Sequence, residues 1–132
     1  MEKIKVGIIG TGFTGPAHIE ALRRLGNIEI AALAECSRDL AESKAKVLGI
    51  PKYYDDYKQF LKSEKIQSVH ICSPNYLHYE MARDALLAGK NIICEKPLAI
   101  SGAQAQKLVE LADKKGLVNA VNFNIRYYPL IG

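Results

Sequence analysis

Three glycines near the start of the chain have the spacing of a diphosphate-binding turn. Gly10, Gly12 and Gly15 form a G-x-G-x-x-G pattern between residues 4–9, which predict a buried strand, and residues 17–25, which predict a helix. Gly10 permits a tight turn, Gly12 lets the backbone approach a pyrophosphate, and Gly15 allows close packing of helix on strand. The helix N-terminus adds unpaired N–H groups and partial positive charge. The stretch therefore predicts a dinucleotide site.

An acidic residue lies where such a site needs one. Glu35 ends the second predicted strand, 20 residues after Gly15, and a carboxylate there accepts hydrogen bonds from an adenosine ribose. It would also repel a 2′-phosphate, which favours NAD over NADP. Arg38, three residues later, complicates this choice because it could reach a 2′-phosphate or stack on adenine. NAD is the prediction, and NADP remains possible.

Polar residues follow two further predicted strands. Ser73 and Asn75 flank Pro74 after the fourth strand, and His78 begins the next helix. These residues could touch the ribose and phosphates, or they could be a turn and a surface histidine. The residues alone leave both interpretations open.

Glu95 and Lys96 follow the fifth predicted strand and precede Pro97. Charged residues at the carboxyl end of a buried strand point into the ligand crevice of such folds. Lys96 could bind a substrate hydroxyl and help to move its proton, since partial desolvation lowers a lysine pKa. A Glu-Lys pair in an ordinary loop is the alternative. His18 and His70, by contrast, are interpreted as structural histidines.

The elements that must position these residues alternate regularly. Strands are predicted at residues 4–9, 28–34, 52–54, 68–72, 91–94 and 118–123, with helices between them. Ser101 and Gln104 predict a capping box for the last helix, which runs to about Lys115. Such alternation predicts a single α/β domain with a Rossmann doubly wound parallel sheet in the order 3-2-1-4-5-6.

Composition narrows the class of protein. The chain has 132 residues, 48% hydrophobic and 24% charged, with a net charge of +4 spread over many positions. This composition is typical of a globular domain, and the scattered lysines favour neither a nucleic-acid partner nor a membrane. Cys36, Cys72 and Cys94 are predicted to be buried free thiols in a reducing compartment. With no signal peptide recognised, the expected location is cytoplasmic.

Taken in order, these motifs resemble those of the Gfo/Idh/MocA oxidoreductases. The stretches that carry the resemblance are residues 7–13 with His18, Glu35, residues 73–75 with His78, residues 95–98, and residues 122–124 with Arg126. The Glu-Lys-Pro motif at residues 95–97 is the most specific of them. The resemblance spans essentially the whole chain and matches the N-terminal half of those enzymes.

The resemblance implies a role for each matching position. Gly10, Thr11, Gly12 and Phe13 would cradle the pyrophosphate, and Glu35 would hold the adenosine ribose with Arg38 nearby. Lys96 would act at the substrate. The remaining cofactor-binding positions would be Ser73, Asn75, His78, Glu95 and Arg126. The implied reaction transfers a hydride between a nicotinamide cofactor and a hydroxyl-bearing carbon of a sugar or polyol.

The resemblance also implies a second domain. Residues 1–124 would form the NAD(P)-binding domain, and residues 125–132 would be an exit segment toward a substrate domain that this chain lacks. We therefore expect dinucleotide binding without turnover from this chain, and a homo-oligomeric dehydrogenase from a longer protein. The alternative is a non-catalytic, dinucleotide-sensing regulator of the same family.

Overall fold

The computed structural model describes residues 2–63 and 65–123, in which strands and helices alternate. The strands are β1 (Ile4–Ile9), β2 (Ile28–Ala34), β3 (Lys52–Tyr54), β4 (Ser68–Ile71), β5 (Asn91–Glu95) and β6 (Asn119–Asn122). The helices are α1 (Gly15–Arg23), α2 (Arg38–Leu48), α3 (Tyr57–Ser63), α4 (His78–Leu87) and α5 (Gly102–Lys115). Within the described ranges, no helix is long and apolar enough to cross a membrane.

The strands form one parallel sheet in the order β3-β2-β1-β4-β5-β6. This confirms the predicted α/β Rossmann fold and strand order. The order reverses between β1 and β4, where Ile9 pairs with Ala34 on one side and with Ile71 on the other. The carboxyl ends of β1, β2 and β4 are therefore level, so the loops after these strands meet at one edge of the sheet.

Two hydrophobic clusters cover the sheet. One includes Ile19 of α1 and Leu33 of β2, while the other includes Phe60 of α3 and Leu86 of α4. Gly7 in β1 leaves room for the Phe60 ring of the second cluster. A Cβ at that position would lie 2.3 Å from the Phe60 ring, so any side chain there would displace the ring.

The helix ends follow the predicted chemistry. The Ser101 hydroxyl accepts a hydrogen bond from the Gln104 amide at 3.2 Å, and the Gln104 side chain accepts one from the Ile100 amide at 3.3 Å. At the start of α2 the Ser37 hydroxyl accepts a hydrogen bond from the Leu40 amide at 3.2 Å. Gly116 ends α5 with a φ of 65°, in the left-handed region that favours glycine.

Two details differ from the predictions. A 3-10 turn at Asn75–Leu77, which was not predicted, separates the extended backbone of Pro74 from α4, which begins at His78 as predicted. Cys36 is exposed, whereas Cys72 and Cys94 are buried as predicted. The prediction for Cys36 was wrong because this residue lies in the loop beyond the end of β2.

Candidate functional site

Two adjoining cavities lie at the edge of the sheet where the strand order reverses. One has a volume of about 250 Å³ and is lined by residues that include Glu35, Asp55 and Asp56. The other has a volume of about 510 Å³ and is lined by Gly10–Thr14 and Tyr76, among others. Both are bordered by Gly10, Glu35, Cys36, Ser73, Pro74 and Leu77. They form one groove across the ends of β1, β2 and β4.

The glycines of the first turn have separate geometric roles. Gly10 has a φ of +90°, and a Cβ there would lie 2.7 Å from the Cys72 carbonyl oxygen. At Gly15 a Cβ would lie 2.4 Å from the Gly10 carbonyl oxygen. A Cβ at Gly12 would meet nothing within 4 Å. Gly10 and Gly15 are thus required by the fold, while Gly12 leaves an open surface beside the larger cavity.

Thr11 points away from that open surface. Its exposed fraction is 0%, and its hydroxyl donates a 2.6 Å hydrogen bond to Glu35 Oε2. The Thr11 amide donates to the same oxygen at 3.1 Å. The family resemblance implies that Thr11 helps to cradle a pyrophosphate; in the structure its side chain is directed to the Glu35 carboxylate. Phe13, by contrast, is 99% exposed at the border of the larger cavity.

Glu35 reaches the groove from the end of β2, while Arg38 turns elsewhere. Glu35 lines both cavities, and its Oε1 accepts a 3.2 Å hydrogen bond from the Cys36 amide. Arg38 begins α2 and places its guanidinium carbon 5.7 Å from the centre of the Tyr53 ring. That distance is typical of a cation–π contact. Arg38 lines neither of these two cavities.

Ser73 contributes a polar group that nothing else in the fold uses. Its hydroxyl oxygen is buried, and the described part of the chain offers it no hydrogen-bond partner. Ser73 and Pro74 line both cavities. Since buried hydroxyls in proteins are nearly always paired, the unpaired oxygen fits a polar ligand in this groove. Asn75 follows as an exposed residue in the 3-10 turn.

His78 is buried behind the groove and has an exposed fraction of 0%. Its Nδ1 lies 2.6 Å from the Pro97 carbonyl oxygen, and its Nε2 lies 2.8 Å from the Ser73 carbonyl oxygen. The residues alone left His78 either at the cofactor or at the surface, and the family resemblance implies the cofactor; in this structure the ring is buried and joins the loop after β4 to the loop after β5. A neutral imidazole donates to one of these oxygens, and an imidazolium donates to both.

Glu95, at the end of β5, is held by two side chains. Its Oε1 accepts hydrogen bonds from His18 Nε2 at 2.6 Å and from Asn122 Nδ2 at 2.7 Å. Burial acts to raise the pKa of Glu95, but the hydrogen bonds from Asn122 and His18 outweigh it, so the pKa lies below its usual value. Glu95 is therefore an ionised, oriented carboxylate next to Lys96.

The contact between His18 and Glu95 was not predicted. The sequence interpretation of His18 as a hydrogen-bonded helix histidine gave no partner for the ring. Its Nδ1 lies 2.8 Å from His70 Nδ1, so a chain of polar contacts runs from β4 through α1 to β5. Burial, followed by the neighbouring His18, lowers the pKa of His70 to about 4. The sequence did contain a signal for this contact, because His18 lies only three residues after Gly15, in the first turn of α1.

Lys96 lies at a different cavity from the glycine turn. With Pro97–Gly102 and Phe123 it borders a cavity of about 450 Å³ beyond the end of β5. The Lys96–Pro97 peptide bond is cis. The structure thus brings Gly10–Phe13, Glu35 and Ser73 together, while Glu95 and Lys96 follow on the neighbouring strand. Arg126 lies outside the described residues.

The chain belongs to the Gfo/Idh/MocA family, because the model of this oxidoreductase family with an NAD-binding Rossmann fold matches residues 4–123. This confirms the resemblance seen in the sequence. The residues that match form the family's NAD-binding domain, and the groove provides what NAD needs: an open glycine turn, a carboxylate and an unpaired buried hydroxyl.

Individual relatives agree with this assignment. Levoglucosan dehydrogenase of Pseudarthrobacter phenanthrenivorans is 34% identical over 99% of this chain and 36% of its own length. Myo-inositol 2-dehydrogenase of Thermotoga maritima is 27% identical over 94% of this chain and 37% of its own length. The chain therefore spans little more than a third of the curated relatives that it matches.

Solved structures show the same fold. A levoglucosan dehydrogenase in complex with NADH and levoglucosan superposes with a TM-score of 0.91 at 33% identity, covering 98% of this chain and 37% of that one. A biliverdin reductase of Synechocystis with biliverdin and NADP⁺ gives 0.83 at 29% identity, covering 90% and 37%. Both nicotinamide dinucleotides thus occur among proteins that share this fold.

Alanine substitution should separate the roles of three glycines. In Gly12→Ala the methyl group occupies the open surface, so we expect NADH affinity to fall about tenfold, or about 1.4 kcal/mol, with little change in stability. In Gly7→Ala we expect the free energy of unfolding to fall by about 1–3 kcal/mol, because the Phe60 ring must move. Gly102→Ala, which meets nothing within 4 Å, is the control for both. Calorimetry and urea denaturation are the measurements, and equal NADH affinity in Gly12→Ala and Gly102→Ala would contradict the assignment.

The buried His70 should make stability depend on pH. Because its pKa is about 4 in the fold instead of 6.5, the unfolded chain binds more protons in this interval, so stability rises with pH between about 4 and 6.5. This difference in the pKa of His70 corresponds to a change of about 3 kcal/mol in the free energy of unfolding. His70→Asn keeps a polar atom near the Nδ1 position and removes the titration. Its pH dependence in urea denaturation should be shallower than that of the wild type by about this amount, and parallel curves would contradict the prediction.

Proposed function

We propose that this chain is the coenzyme-binding part of an NAD-dependent dehydrogenase that oxidises a hydroxyl-bearing carbon of a sugar or polyol. The observation that carries the proposal is the Glu35 carboxylate, fixed at the end of β2 beside the open turn at Gly12. The dehydrogenases of levoglucosan and myo-inositol among the relatives support the class of substrate. Bound NAD would supply the hydride acceptor for this reaction.

Different residues of the groove would bind different parts of the coenzyme. The smaller cavity fits the adenosine half, because Glu35 lies there to accept hydrogen bonds from the ribose hydroxyls. The larger cavity fits the pyrophosphate, with Gly12 and Phe13 on one side and Ser73 on the other. Asn75 is proposed to contribute polar contacts at the exposed rim. Arg126 keeps the role that the family resemblance implies, near the nicotinamide.

Charge in the smaller cavity favours NAD over NADP. Three carboxylate residues, Glu35, Asp55 and Asp56, line this cavity, and a 2′-phosphate placed there would face like charges. Arg38, the cation that could compensate, stacks on Tyr53 instead.

Lys96 is proposed to act on the substrate. It follows Glu95, whose carboxylate is fixed by His18 and Asn122, so the start of the Lys96 loop has a defined position. There Lys96 would hydrogen-bond the substrate hydroxyl and take its proton while the carbon loses its hydride. His78 would position this loop through the Pro97 carbonyl rather than contact the coenzyme itself.

The remaining parts of the proposal concern a longer protein. The relatives are nearly three times the length of this chain, which supports a further domain that supplies the substrate pocket. We infer that this chain binds the coenzyme without turnover, and that the longer protein is a cytoplasmic homo-oligomer.

Removing the charge of Glu35 should change coenzyme preference. We expect the chain to bind NADH at least about tenfold more tightly than NADPH, and Glu35→Gln to remove most of this preference, because an amide neither repels the phosphate nor accepts as well from the ribose. Glu42→Gln removes an equal charge from the exposed face of α2 and is the matched control. Calorimetric titration with both coenzymes decides the matter, and a native preference for NADPH would reject the proposal.

Activity of the longer protein separates the enzyme from a regulator. We expect NADH formation with at least one member of a polyol and sugar panel, and a fall in kcat of about 100-fold or more in Lys96→Met, the loss typical of a missing general base. The affinity for NADH should change little, because Lys96 lies at a separate cavity. NADH binding without turnover of any panel member would favour the dinucleotide-sensing regulator.

A further inference from the structure

Thr11 has an unusual position for a residue inside a phosphate-binding turn. It lies between Gly10 and Gly12, yet its exposed fraction is 0%. No atom of its side chain is therefore open to a ligand in the groove. Its hydroxyl instead faces inward, 2.6 Å from Glu35 Oε2.

The hydrogen bonds of Thr11 determine where the Glu35 carboxylate lies. Oε2 accepts two of them, from the hydroxyl at 2.6 Å and from the amide at 3.1 Å, and Oε1 accepts one from the Cys36 amide at 3.2 Å. A short O–H···O⁻ bond of this kind is charge-assisted and stronger than a neutral one. A free glutamate side chain samples many rotamers, and these bonds select one of them.

The other acidic residues of the smaller cavity lack this arrangement. Asp56 accepts a hydrogen bond from the Lys58 amide at 2.9 Å, so its carboxylate belongs to the start of α3. Asp55 is exposed. Glu35 is therefore the carboxylate whose position depends on the glycine turn, and Thr11 makes that connection with its side chain.

We propose that Thr11 is a specificity-determining positioning residue, whose hydroxyl holds the Glu35 carboxylate where it accepts from the ribose of NAD and repels the 2′-phosphate of NADP. This inference rests on the proposed coenzyme function. The selectivity between NAD and NADP would then depend on two residues, Thr11 in the turn after β1 and Glu35 after β2, and not on Glu35 alone. Because the Thr11 side chain is buried and faces Glu35, this role requires no contact between that side chain and the coenzyme.

The test compares three substitutions of Thr11 with one control. Thr11→Val replaces the hydroxyl by a methyl group of similar size, Thr11→Ser keeps the hydroxyl, and Thr11→Cys replaces it with a much weaker donor. Thr14→Val removes a hydroxyl from the same turn, where Thr14 lines the larger cavity. The 132-residue chain and its variants are titrated with NADH and with NADPH, and folding is checked by circular dichroism.

We expect the ratio of NADPH to NADH dissociation constants to fall about fivefold or more in Thr11→Val, which is the scale of a lost hydrogen bond to a charged group. Thr11→Ser should keep the ratio within about twofold. Thr14→Val should change both affinities by the same factor. If Thr11→Val does not fold, Thr11→Cys serves in its place, and an unchanged ratio in the folded variant overturns the proposal.

A double-mutant cycle separates positioning from packing. In a Glu35→Gln background the charge that reads the 2′-position is gone, so Thr11→Val should leave the ratio within about twofold of its parent. An equal effect in both backgrounds would mean that Thr11 acts without Glu35, and would overturn the inference. Failure of the wild-type chain to bind either coenzyme would instead reject the proposed function, and this inference with it. The two failures are therefore distinguishable.

Discussion

The close approach of three backbone segments around Gly10 is the constraint on which the groove depends. The turn after β1 touches the backbone at Cys72 and Ser73 on one side and at Gly15 on the other, at distances that exclude a Cβ at Gly10 or Gly15. Because the segments approach so closely, the loops after β1 and β4 form one floor at the point where the strand order reverses. The ligand groove is a direct result of this contact.

Polar side chains then fix the parts of the site that lie farther from the glycines. Thr11 connects the turn to Glu35, His78 connects the loops after β4 and β5, and His18 connects α1 to Glu95. Each of these contacts joins residues that are distant in sequence and adjacent at the sheet edge. The rigid sheet sets the distances between the loops, and the hydrogen bonds set the directions of the functional groups.

Much of this arrangement could be predicted from the sequence. Alternating strands and helices predicted a parallel sheet, and the glycine spacing, which is typical of a dinucleotide-binding fold, predicted both the turn and the strand order. Ser101 and Gln104 predicted a helix start because capping is a local interaction. All of these signals depend on residues that are near one another in the chain, or on general rules of connection.

Contacts between the loops could not be predicted in the same way. Spacing places Thr11, His18 and His78 near the sheet edge, but it does not say whether a side chain faces the ligand or the protein. For His78 the answer depends on two carbonyl oxygens, those of Ser73 and Pro97, whose directions are set only when β4 and β5 are side by side. The exposure of Cys36 depends similarly on where the backbone turns after β2.

The flat ring of His78 has a mechanical consequence. An imidazole neither stretches nor bends appreciably, and this one lies between main-chain oxygens of two separate loops, 2.6 Å from one and 2.8 Å from the other. A displacement of the Ser73 carbonyl toward the ring would therefore press the ring against the Pro97 carbonyl on its far side. The segment that carries Lys96 and the segment that borders the groove are thus spaced by one rigid side chain.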